Sequence, residues 1–122
     1  MNLHTDLVPA SEARQVLLAG MTEKELLADV VSRCRDYGLP VYHVLDVLHH
    51  AKVIGPGFPD LVIAIPPDLY LVELKSSKGQ LSPEQQAWQD ILGKCRNVRS
   101  GIIRPRDIDR LDELLRATRD GN

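Results

Sequence analysis

Asp60, Glu73 and Lys75 are the residues of this 122-residue chain whose types and spacing could do chemistry together. Glu73 and Lys75 stand two apart in LYLVELK (69–75), a strand-like run, and residues two apart on a strand share a face. Asp60 opens a second strand-like run, DLVIAI (60–65), and Pro66-Pro67-Asp68 turns the chain between the two. A hairpin made of these runs folds Asp60 back beside the end of its partner. Two carboxylates and an ammonium then meet where a Gly/Pro-rich segment joins the sheet. Charges inside apolar strands cost free energy unless paired. One arrangement that meets the cost is a plain salt bridge from Lys75 to either acid. The other is a divalent-metal site, since Mg²⁺ is usually held by one or two carboxylates, water and substrate phosphate. Two carboxylates ~4 Å apart repel by roughly 4 kcal/mol at an effective dielectric of ~20, and a cation removes that repulsion. It also supplies Lewis acidity toward a phosphoryl oxygen. A salt bridge alone needs neither a second carboxylate delivered by a rigid GPGFPD turn nor a capped helix carrying Gln85 immediately afterwards.

The elements that must position these groups follow from periodicity and caps. Ser11 to Leu18 is a short helical candidate ended by Gly20. Thr22 and Glu25 match a capping box, and Leu26, Leu27, Val30, Val31 and Cys34 recur at helical spacing, so a helix is expected from Glu23 to Tyr37, stopped by Gly38 and Pro40. On that helix Glu23 shares the apolar stripe, whereas Glu25 serves the cap and Asp29 and Asp36 fall on the solvent side. Glu23 is therefore the expected helix-borne third carboxylate. Pro40 to Asp46 reads as a strand, His49 to Pro59 as a restricted loop, and Asp60 to Ile65 as a strand covered on both faces. Ser82-Pro83-Glu84-Gln85 combines an N-cap, proline at the first helical position and a reciprocating glutamine. The helix it opens is expected to run to Lys94 and to bury Trp88, Ile91 and Leu92. Val98 to Arg104 is a short strand, and Asp107 opens a last helix with Ile108, Leu111, Leu114 and Leu115 on one face. The order describes a mixed α/β sheet domain.

With these residues in place the chain resembles the virus-type replication-repair nuclease (VRR-NUC) domains, a branch of the PD-(D/E)XK superfamily with the restriction-endonuclease-like fold. The resemblance rests on TEKELLADVV with Gly38 and Tyr42-His43, on GFPDLVIA (57–64), on LVELKSSKGQLSPEQQAW (71–88) and on Arg104-Pro105. It implies a mixed central β-sheet flanked by helices, a nuclease domain over residues 21–118 after a 1–20 extension, and a 119–122 tail. It implies Asp60, Glu73 and Lys75 as the catalytic core, Glu23 as the helix-borne acid, Gln85 as a supporting residue, and Mg²⁺ or Mn²⁺ as cofactor. Its implied reaction is phosphodiester hydrolysis in DNA, with branched DNA such as Holliday junctions as substrate and a homodimer as the working form. Two departures stand out: Leu39 follows the glycine that ends the first long helix, where an aromatic residue is common, and Ile102-Ile103 replace a common Trp. Neither touches the acids.

Composition bounds the alternatives. With 43% hydrophobic and 26% charged residues the chain is ordinary for a globular protein. No apolar run approaches the ~20 residues of a membrane span, and Met1 to Ala10 lacks the basic start of a signal peptide. Cys34 and Cys95 belong to no paired motif and read as two free buried thiols, so a cytoplasmic protein is expected. Net charge is −2, but residues 1–72 hold 5 Lys and Arg against 9 Asp and Glu, while residues 73–122 hold 10 against 8. Arg96, Arg99, Arg104 and Arg106 could form a phosphate-facing patch or a solvated face. His43, Ser76, Ser77, Lys78 and Arg104 are the substrate-binding candidates; for His43 a partly buried structural role competes evenly, and for 76–78 a solvated turn. His49-His50 reads as a solvated or phosphate-touching pair more readily than a metal site, and Trp88 as a core residue rather than a base-stacking one. The rival to a nuclease is a non-catalytic DNA-binding or replication-complex module on the same fold.

Overall fold

The computed structural model describes residues 10–44 and 55–121. Its elements are α1 (Ala10–Ala19), α2 (Glu23–Asp36), β1 (Val41–His43), β2 (Leu61–Ile65), β3 (Asp68–Leu74), α3 (Pro83–Leu92), β4 (Val98–Ile103), a 3₁₀ turn (Pro105–Asp107) and α4 (Ile108–Asp120). One sheet runs in the order β1-β2-β3-β4, with the first two pairings antiparallel and β3–β4 parallel. The parallel step requires a crossover, and α3 supplies it. This is the mixed sheet flanked by helices expected from the sequence.

Local chemistry sets the boundaries. Thr22 Oγ1 accepts the Glu25 N–H at 3.1 Å while Glu25 Oε1 accepts the Thr22 N–H at 3.1 Å, so two orphan donors at the start of α2 are satisfied reciprocally. At the other end Gly38 takes φ +71°, and the Leu39 N–H reaches back to the Cys34 carbonyl at 3.0 Å. In the β2–β3 hairpin the bond between Pro66 and Pro67 is cis. Arg33 ties α2 to α4 by pairing with both Asp29 and Asp112.

The core lies on one face of the sheet. Leu61, Ile63, Ile65, Val72 and Leu74 pack there against Leu26, Val30 and Cys34 of α2 and Ile108, Leu111 and Leu115 of α4. The opposite face is less covered than the apolar run of β2 suggests. Val62 and Ala64 are only half-buried, because α3 is ten residues long and packs chiefly over β4. For the same reason only Leu92 of α3 is buried. Ile91 is 55% exposed, and Trp88 packs outside the core against the loop before β2 rather than beneath its helix. Cys34 is a buried free thiol, which burial pushes up to about 11; Cys95 is exposed, not buried as expected, because it lies just past the end of α3. The expected strand Pro40–Asp46 is observed as Val41–His43, with residues 45–46 outside the described part. Among the described residues no helix is long and apolar enough to cross a membrane.

This packing ranks core positions. Leu26→Ala should lower the unfolding free energy by about 2–5 kcal/mol, read as a shift in urea midpoint at constant slope. Leu17→Ala, at a position 73% exposed, should change it by less than about 0.5 kcal/mol.

Candidate active site

Glu73 is buried almost completely, at 2% exposure, on the central strand β3. Its Oε1 accepts a hydrogen bond from Gln85 Nε2 at 3.0 Å. Its Oε2 is buried with no hydrogen-bond partner. The Asp60 carboxyl lies against it, close enough to share a proton, while Asp60 Oδ2 accepts the Leu74 N–H at 2.8 Å. Burial first, and then the hydrogen bond and charge of Asp60, push the Glu73 carboxyl up to about 8; Lys75 opposes the rise and Glu23 adds to it.

Three segments bring these groups together. Asp60 immediately precedes β2, and the Val44 N–H donates to its carbonyl at 2.8 Å, which continues the β1–β2 ladder up to the acid. The turn before it, Gly55 to Pro59, is clamped onto α3. Trp88 Nε1 donates to the Pro56 carbonyl at 3.0 Å, and the Phe58 and Trp88 rings meet edge to face at 5.0 Å. Gly57 has φ +85°, and a Cβ there would stand 2.6 Å from the Gln85 nitrogen and 2.5 Å from the Glu84 carbonyl carbon. Only glycine permits both that dihedral and that backbone approach. The third segment is the first turn of α3. Ser82 Oγ accepts the Gln85 N–H at 3.1 Å, and Gln85 Oε1 accepts the Ser82 N–H at 2.9 Å. With Oε1 committed to the cap, the amide can present only its NH₂ to Glu73, so a helix cap fixes which oxygen of Glu73 is left over.

Lys75 is 12% exposed at the side chain, and its Nζ lies 3.5 Å from Glu23 Oε1, whose side chain is half exposed. Glu23, His43, Asp60, Glu73 and Gln85 line one cleft of about 290 Å³. Lys24 lines it too, a residue that periodicity leaves among the solvated positions of its helix. The remaining sequence candidates do not line it. Arg104 Nη1 donates to the carbonyls of Ser76 and Gly79 at 2.8 and 2.7 Å, so this guanidinium braces the loop after β3 where a phosphate contact was expected. Ser77 Oγ donates to the Leu18 carbonyl at 3.2 Å, which docks the same loop on α1. Ser76 is half-buried and Lys78 exposed in that loop. The four arginines have no common role: Arg99 pairs with Asp68 at 3.5 Å, Arg104 turns inward, and Arg96 and Arg106 are exposed. His49-His50 lies outside the described residues.

Among the described residues, no group of three or more His, Cys, Asp and Glu side chains is arranged to hold a metal ion. The donor set is narrower than three acids, because Glu23 faces Lys75. What remains is the neighbouring pair Asp60 and Glu73, with a buried carboxylate oxygen that no N–H or O–H donor of the described residues reaches. A hard divalent cation, which takes oxygen ligands and keeps much of its water, fits such a pair.

The raised Glu73 carboxyl has a consequence for stability in cation-free buffer. The folded state keeps a proton that the unfolded state releases near pH 4.5, so stability falls as pH rises from about 4.5 and levels off above about 8. Glu73→Gln removes a group that ionises and leaves an oxygen to accept from Gln85. Thermal unfolding of the two proteins between pH 4.5 and 8.5 should show Tm curves that converge at the acid end. At pH 8 the variant should unfold several degrees higher, at about 4 °C per kcal/mol. Parallel curves would show that Glu73 is not held protonated.

Comparison with curated proteins and with solved structures yields no match. The family model described as VRR-NUC domain matches residues 7–107, a span that contains β1–β4, Asp60, Glu73, Lys75 and Gln85. The chain thus belongs to the VRR-NUC domain family, a nuclease family related to the PD-(D/E)XK enzymes.

Proposed function

We propose that this protein is a Mg²⁺- or Mn²⁺-dependent endonuclease that hydrolyses phosphodiester bonds in branched DNA, such as a four-way junction, as a homodimer. The observation that carries the reading is the buried, unsatisfied Oε2 of Glu73 beside Asp60, inside a cleft that Lys75 adjoins through Glu23. A buried polar atom without a partner costs on the order of 1–3 kcal/mol, more if charged. A cation held beside the second carboxylate would offset that cost.

Asp60 and Glu73 would hold the cation. Bound there, it supplies positive charge against a phosphoryl oxygen and lowers the pKa of nearby water. The protein's own groups do the rest. Gln85 keeps Glu73 Oε1 occupied and so directs Oε2 into the cleft. The Leu74 N–H orients Asp60 in the same way. Lys75, largely withdrawn from water, places an ammonium where negative charge develops on the phosphorus oxygens during attack, and its effect is greatest in such a site. Glu23 pairs with that ammonium and limits where it can swing. A two-fold dimer would present two such clefts to two strands of a junction.

The direct test incubates labelled four-way junction and matched linear duplex with the protein in Mg²⁺, Mn²⁺ or EDTA. The junction should be cut in preference to the duplex, and only with metal. Glu73→Ala and Lys75→Ala should each lower the rate by at least about a hundredfold while circular dichroism stays native. A Lys75→Ala protein that cuts at the parental rate would remove Lys75 from the chemistry. Binding without cutting in any metal would favour the DNA-binding module.

A further inference from the structure

Two side chains on the wall of the acid cleft have no role in holding the acids. Lys24, in the first turn of α2, and His43, at the end of β1, both line the cleft. Neither makes a side-chain hydrogen bond or ion pair with any described residue. The other lysine near the acids, Lys75, is already paired with Glu23. A polyanion entering this cleft meets three carboxylates, Glu23, Asp60 and Glu73, and among the described residues lining it Lys24 is the cation without an ion pair. Its position is also one that helix electrostatics disfavours. The N-terminal turn of a helix carries a partial positive charge, so a lysine there loses roughly 0.3–1 kcal/mol relative to an acid. The neighbouring positions of the same turn, Glu23 and Glu25, follow the rule. A cation on an acid-preferring turn, lining an acidic cleft yet without an ion pair among the described residues, suits a ligand that brings negative charge of its own.

We propose that Lys24 and His43 form the substrate grip of the site: Lys24 pairs with a non-bridging oxygen of the nucleic-acid backbone next to the phosphate being cut, and His43 donates a hydrogen bond to the same backbone. The inference rests on the nuclease reading above and adds to it the two residues that meet the substrate. They come from different elements, α2 and β1, so the backbone would be held from two sides of the cleft. Because Lys24 lies on the surface and outside the core, its replacement leaves the fold intact.

The test measures binding of a labelled junction in EDTA by fluorescence anisotropy between 50 and 200 mM salt, for the parent and for Lys24→Ala, Lys24→Arg, His43→Ala and Lys94→Ala. Lys94 is a charge-matched control just beyond the other end of α3 from Gln85, about 13 Å along the helix axis. Lys24→Ala should weaken binding several-fold and reduce the slope of log affinity against log salt by about 1, as expected for one lost phosphate contact. Lys24→Arg should restore the slope, His43→Ala should weaken binding without changing it by as much, and Lys94→Ala should match the parent. In metal, Lys24→Ala should raise KM more than it lowers kcat. If the parent binds and cuts while Lys24→Ala behaves as Lys94→Ala does, the grip is refuted and the nuclease reading stands. If the parent neither binds nor cuts any DNA, both fall together.

Discussion

A carboxylate buried on the central strand of a small sheet is the constraint around which this molecule is organised. Glu73 shares its strand with Leu71, Val72 and Leu74, all buried, and could be expected to be apolar like them. It is instead an acid with one oxygen bonded and one bare. The protein lowers the cost of that choice in three ways: the Gln85 amide, a proton retained well above the usual carboxylate range, and Lys75 nearby. Of these only the proton, which Asp60 can share, serves Oε2; no N–H or O–H donor of the described residues reaches it. The residual cost is carried by a core made of two helices against the opposite face, anchored by residues such as Leu26, Leu61 and Leu115 that are sealed from solvent.

Helix α3 and the Gly55–Pro59 turn act as one part in this scheme. Gly57 lets the turn touch the backbone of Gln85's helix turn, Trp88 locks it from the side, and Asp60 emerges directly after it. A capping box, ordinarily a device for starting a helix, here also holds the orientation of Glu73. The distance between Asp60 and Glu73 therefore depends on contacts made entirely by backbone, a cap and one aromatic pair, rather than on long flexible side chains. Such support favours precise donor placement.

Much of this was legible from residue order. The acid-x-Lys spacing, the GPGFPD turn and the two capping boxes each have a local physical signature, and each sits where those signatures put it. Helical periodicity also puts Glu23 on the stripe of Leu26 and Leu27, which brings it to the cleft wall, where it faces Lys75. The misreadings share a cause. Trp88, Ile91 and Cys95 read as buried because they are apolar at helical spacing, but α3 is too short to cover the sheet, and that depends on how the crossover packs. Arg104 looked like a phosphate contact because its partners, the Ser76 and Gly79 carbonyls, are more than twenty residues away in sequence. Lys24 had no signal at all: its meaning comes from a cleft wall that only tertiary structure defines.

The central claim is that the Asp60–Glu73 pair is built for a divalent cation that displaces a proton from Glu73. Calorimetric titration of the protein with Mn²⁺ at pH 7, repeated in two buffers of different ionisation enthalpy, tests it most directly. The account predicts binding accompanied by release of close to one proton, with both the binding and the release lost in Glu73→Gln. Binding of equal strength in the variant, or no binding to the parental protein, would contradict it.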